Sequence, residues 1–146
     1  MAVRIRVTRC GRMMLTQVAM APRFAPMHKY RSLAVWRRAH ELVLLSHRAT
    51  DQAYHPRSRA LFDQVRRAAT SVEANLVEGY ALGTPKQFRR HLRIALGSAA
   101  EAECLVRTAG ELGYLSDEVA QEAARLLDEV LAMLFGLLRK PIRTGS

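Results

Sequence analysis

The chain has 146 residues and a net charge of +10, from 23 Lys and Arg against 13 Asp and Glu. That length suits one domain around one core, and the sequence has no run of about 18 apolar residues to span a membrane. Two cysteines, Cys10 and Cys104, make neither a disulfide framework nor a metal-ligand spacing, which suits a reducing cytoplasm.

Residues 1–27 differ from the rest. They hold five arginines and no acid, for +5; residues 28–100 contribute +8 and residues 101–146 contribute −3. A basic front and a mildly acidic back point to a polyanionic partner, with solubility alone as the competing explanation. The apolar patch from Met13 to Ala21 faintly resembles a signal peptide, but Thr16 and Gln17 interrupt it. The absence of acids also matches a transit peptide. The preferred reading is a basic, disordered extension over 1–27, or a start codon placed too early. Pro22 and Pro26 mark its boundary and Met27 closes it.

The first helix is expected from Leu33 to Ala53. Ser32 is its expected N-cap, and His55-Pro56 stops it, because a residue before proline avoids the α region. Leu33, Trp36, Ala39, Val43 and then Ser46 or His47 follow helical spacing, with Val35, Leu42, Leu45 and Ala49 widening the apolar face. The second helix is expected from Arg59 to Glu78. Its core stripe is Leu61, Val65, Ala68, Val72 and Leu76, and Gly79 is expected to end it in the left-handed conformation.

The third helix has the clearest start. Thr84 caps it, Pro85 takes the first position, and Gln87 stands where a capping box needs it. It should run to about Leu112, with Gly113 beyond, roughly 40 Å at 1.5 Å per residue. Phe88, Leu92, Ala95, Ala99, Ala102, Val106 and Ala109 form a heptad-like seam whose alanines permit close approach. Ile94, Leu96, Leu105 and Leu112 lie off that seam, so this helix is expected to be central or to touch another subunit. The fourth helix follows Ser116, with Asp117 and Glu118 suited to its N-terminal dipole, and ends at Pro141. Short loops between four amphipathic helices predict an all-α, antiparallel up-down-up-down four-helix bundle over 28–140, with 141–146 as a tail.

Reaction chemistry is hard to find. There is no Gly-rich phosphate loop, G-x-S-x-G or H-E-x-x-H, and no Glu is followed three residues later by His. The five histidines lack acids at ligand spacing and read as structural or surface groups. Cys104 reads as a buried inert thiol. No catalytic residue, metal or cofactor is expected.

Three polar features remain. Lys86, Arg89, Arg90 and Arg93 put four cations on one face of the third helix, with no acid between residues 79 and 100. Like charges at this spacing repel, and a phosphate backbone would relieve that repulsion. Arg66 and Arg67, with Arg37 and Arg38 on the first helix, either extend this patch or serve helix interfaces. Ser71, Asn75 and Glu78 line one side of the second helix. They read as a structural polar cluster, with Ser98 as a further member. The scattered aromatics form no base-stacking platform.

At these residues the chain resembles a known family. The segment from Tyr30 to Trp36, Val65-Arg66-Arg67-Ala68-Ala69 with Ser71, Asn75 and Glu78-Gly79, and Phe88, Leu92, Ile94-Ala95, Gly97-Ser98 and Glu101 occur in its order. The family is that of the bacterial four-helix-bundle proteins encoded in intervening sequences of 23S ribosomal RNA genes, also called the S23 family. The resemblance covers about residues 28–140. It implies an up-and-down bundle, a ring-like homopentamer and no catalytic activity. A related accessory protein of diversity-generating retroelements works with a reverse transcriptase and nucleic acid, which implies a nucleic-acid enzyme as a further partner. The turn Tyr80-Ala81-Leu82-Gly83 lacks the basic residue that members often carry there.

The expectation is therefore a cytoplasmic, non-enzymatic oligomer that binds nucleic acid, RNA above all. Lys86, Arg89, Arg90 and Arg93 come first as contacts; Arg66, Arg67, Arg37 and Arg38 come second. The alternative is a protein-interaction scaffold whose charge serves solubility, with an enzyme third.

Overall fold

The computed structural model describes residues 29–141. The expected extension over 1–27 and the tail residues 142–146 lie outside the described residues. After a short 3-10 turn, Lys29–Ser32, come α1 (Ala34–Gln52), α2 (Arg59–Ala81), α3 (Pro85–Glu111) and α4 (Asp117–Arg139). Each helix packs on its two neighbours in the cycle α1–α2–α3–α4, and α2–α3 is the most extensive pair. This is the expected antiparallel up-down-up-down bundle. No strand occurs among the described residues.

The helix ends follow local chemistry. The Thr84 hydroxyl accepts from the Gln87 N–H at 3.2 Å, and Pro85 opens α3 where its missing N–H does no harm. Ser116 accepts from the Val119 N–H at 3.3 Å, and Asp117 and Glu118 complement the dipole of α4. Gly113, at φ 69°, ends α3. The Tyr114 N–H reaches back to the Ala109 carbonyl and the Gly113 N–H to Gly110, which is a Schellman motif. Ser32 is not the cap of α1. It lies inside the 3-10 turn, where its hydroxyl donates to the Lys29 carbonyl at 2.7 Å, and Leu33 takes the cap position without a side-chain bond.

The main core is built as heptad-like seams. On α3 every seam residue from Leu92 to Ala109 is buried, with Phe88 packed at its edge. On α4 the centre is Ala123, Leu126, Leu127, Val130 and Leu134. On α1 the centre is Val35, Ala39, Leu42, Ser46 and Ala49. Leu33, Trp36 and Val43, expected at the centre, flank it instead. The apolar arc of α1 is wide enough for either line, and only packing selects the one that faces inward. Likewise α2 buries Phe62 rather than Leu61. Phe62 meets Tyr114 edge-to-face, with centroids 6.4 Å apart, and closes the end of the bundle away from Thr84.

Gly79 corrects the expected end of α2. The helix continues to Ala81, and Gly83, at φ +71°, is the left-handed residue. Gly79 is buried inside the last turn because α3 passes directly over it. A Cβ there would stand 2.7 Å from the His91 Cβ and 3.2 Å from Phe88 Cδ2. Its job is close helix approach, not chain reversal.

Two substitutions test this account. Gly79→Ala adds up to about 1 kcal/mol of helix propensity, but overpacking costs about 1–3 kcal/mol. The clash wins, so its thermal midpoint should fall; a midpoint at or above the parent's contradicts the close approach. Thr84→Ala should lose about 1 kcal/mol in chemical denaturation.

Candidate nucleic-acid interface

Antiparallel packing brings the starts of α1 and α3 to the same end as the finishes of α2 and α4. Lys29, Arg31, Arg37, Lys86, Arg89, Arg90, Arg93, Arg139 and Lys140 therefore gather at one end of the bundle. In the two turns of each helix nearest that end, the carboxylates are Glu41 and Glu78. Both have partners: Glu41 accepts from Arg38, and Glu78 stands 3.7 Å from His91 Nδ1.

Lys86, Arg90 and Arg93 are exposed, on the side of α3 opposite the buried seam, and Arg89 is half-buried beside them. None of the four makes an ion pair with a carboxylate among the described residues. All 13 Asp and Glu side chains of the chain lie within those residues. The placement also runs against local electrostatics. The first turn of α3 carries no acid, although a helix N-terminus favours negative charge. Arg89 has an internal role as well: its Nη1 donates to the Lys140 carbonyl at 2.9 Å, tying the start of α3 to the end of α4.

The other four arginines are held by the chain itself. Arg38 bonds Glu41 and lies 2.6 Å from Glu129, which also holds Arg125. The hydrogen bond to Glu41 and then the charges of Glu129 and Glu41 push the Arg38 guanidinium above its ordinary pKa. Arg125, bonded to Glu122 and Glu129, is raised in the same way, and its hydrogen bond lowers the Glu122 carboxyl. This network joins α1 to α4. Arg66 donates to Thr50 Oγ1 at 2.6 Å and pairs with Asp51, joining α2 to α1. Arg67 bonds Gln64 and stands 3.9 Å from Glu101, and Arg37 donates to the Ser32 carbonyl at 3.2 Å.

The polar set on α2 and α3 comes together as hydrogen bonds within α2 and across to α3. Ser71 and Ser98 hydroxyls are 2.8 Å apart between the helices, and within α2 Asn75 Nδ2 donates to the Ser71 carbonyl at 2.8 Å. Asn75 Oδ1 lies 3.0 Å from His91 Nδ1. His91 is the member that sequence reasoning missed. Its position between Phe88 and Ala95 places it at the edge of the seam, facing α2, and that spacing was the available signal. A second histidine acts similarly: His40 bonds Glu73 of α2 at 2.9 Å and stacks on Trp36.

Cys104 is exposed, not buried as expected, because it lies on the outward side of α3. Among the described residues no group of three or more His, Cys, Asp or Glu is placed to hold a metal ion. No helix there is long and apolar enough to cross a membrane.

Comparison with solved structures gives one further view of the fold. A crystal structure of a protein of unknown function from the S23 ribosomal protein family of Bacteroides thetaiotaomicron VPI-5482 matches with a TM-score of 0.63 and 21% identity. The match covers 73% of this chain and 99% of that one. No curated protein matches the chain. The family described as 23S rRNA-intervening sequence protein matches residues 31–136, nearly the whole bundle, and the chain belongs to that family.

Proposed function

We propose that this bundle is a cytoplasmic, non-enzymatic nucleic-acid-binding protein that grips phosphates, RNA above all, with the basic end of α3. The observation that carries the reading is the unneutralised stripe. Lys86, Arg90 and Arg93 have no carboxylate partner among the described residues, while Arg38, Arg66 and Arg125 do. Unpaired like charges at i, i+4 and i+7 weaken the helix that carries them. A phosphate backbone offsets that repulsion and releases its counterions. The family's link to 23S ribosomal RNA genes supports nucleic acid as the polyanion. Arg37, Arg38, Arg66 and Arg67 contribute less, because each is engaged inside the fold.

The working form is a homo-oligomer, a pentamer on the family resemblance. Ile94, Leu112 and Phe135 are large apolar side chains left exposed on the single chain, as a subunit interface would require. Repeating a weak basic patch around a ring raises avidity without new contacts. A nucleic-acid enzyme fits as a further partner. The same exposed side chains favour the second reading, a scaffold for another protein.

Binding of duplex RNA and DNA, titrated with salt, separates the readings. Changing Lys86, Arg90 and Arg93 together to Ala should lower the magnitude of the log–log salt slope by about 3. Arg38→Ala should leave the slope unchanged. An unaltered slope in the triple variant excludes the stripe as the site, and capture of a protein partner that survives nuclease and high salt favours the scaffold. Light scattering should give an oligomer at micromolar concentration; a monomer there rules out the ring.

A further inference from the structure

We propose that the anion-binding surface continues from α3 onto the C-terminal end of α4, where Arg139 and Lys140 are further phosphate contacts and Arg89 is the residue that positions them. The inference rests on the reading of the basic end of α3 as a phosphate site, and it adds a second helix to that site.

Arg89 sits within the stripe, one residue from Arg90 and one turn from Lys86 and Arg93. Its Nη1 donates to the backbone carbonyl of Lys140 at 2.9 Å. The last residues of α4 therefore lie one arginine side chain away from the stripe, although 51 positions separate the two in sequence. The chain leaves α4 in extended conformation at Lys140, with φ −66° and ψ 131°. Arg139 and Lys140 are both exposed, and neither pairs with a carboxylate among the described residues. Five exposed cations, Lys86, Arg90, Arg93, Arg139 and Lys140, thus lie on the two helix ends that this half-buried arginine fastens together through backbone.

A guanidinium has five N–H donors in a rigid fork. One of Arg89's is used on the carbonyl, which also satisfies a C-terminal orphan acceptor of α4. The simpler role for Arg139 and Lys140 is to complement the α4 dipole. That role predicts an effect on stability but none on ion release. A phosphate-binding role predicts the reverse, because each phosphate left without its cation takes about 0.9 off the salt slope on duplex.

The experiment uses the full chain and a duplex RNA, with binding measured across a salt series and helicity checked by circular dichroism. Arg139→Ala with Lys140→Ala should lower the slope magnitude by about 2. Arg89→Met keeps the stem that packs and removes both donors and charge; it should lower the slope by at least as much. Adding Arg89→Met to the Arg139 and Lys140 pair should fall short of the sum of the two effects, because the positioning residue and the positioned residues act together. If the parent chain binds, the α3 stripe variant loses slope and the Arg139–Lys140 variant does not, the extension onto α4 is wrong while the α3 site stands. Strict additivity overturns the positioning role of Arg89. A parent chain that fails to bind at low salt removes the α3 site and this extension together.

Discussion

The structure depends on how closely α2 and α3 approach. Gly79 lets His91 and Phe88 cross α2 where a methyl group would collide, with 2.7 Å left to the His91 Cβ. Alanines along the α3 seam continue the close packing toward the far end. Close approach brings short polar side chains within reach of each other, and Ser71–Ser98 and Asn75–His91 use it. An apolar seam alone tolerates sliding by a turn. Hydrogen bonds at fixed positions do not, because a shifted register leaves part-buried donors and acceptors unpaired. The α2–α3 pair is thereby fixed in height, and that sets where the start of α3 sits relative to the end of α4.

The electrostatics follow from this register. Some ion pairs of the bundle bind neighbouring helices: Arg38 and Glu129 link α1 to α4, and Arg66 and Asp51 link α2 to α1. Most of these groups are exposed, and each such pair is worth about 0–1 kcal/mol. Their more important effect is on distribution. They engage Arg38, Arg59, Arg66, Arg107 and Arg125 along the sides, while the stripe at the start of α3 has no carboxylate partner among the described residues. Positive charge at the N-terminus of α3 runs against the helix dipole and against its own neighbours. A local rule broken without an internal gain marks a site of function more often than a site of stability.

Much of this was legible in the sequence. Helix periodicity, the Thr84-Pro85 start, Ser116, Gly113 and the α3 seam all depend on residues close in the chain, and all formed as expected. The four-cation stripe was legible for the same reason, since spacing on one helix fixes its face. The errors have a common cause. Gly79 and Gly83 are both plausible helix ends locally, and only the passage of α3 over Gly79 decides between them. The inward line of α1 and the choice of Phe62 over Leu61 depend on neighbouring helices.

The sequence by itself determined the helices, their order, the bundle and the basic face of α3, because these are set by interactions within a few turns. Only the tertiary structure decided which arginines are free and which are engaged. It also decided that His91 completes the polar set and that Arg89 joins the two basic helix ends. Arg66–Asp51, Arg89–Lys140, His91–Asn75 and Arg38–Glu129 turn on partners 15 to 91 positions apart in the chain. No local spacing rule encodes such a distance, and the fold must form before the pairs exist.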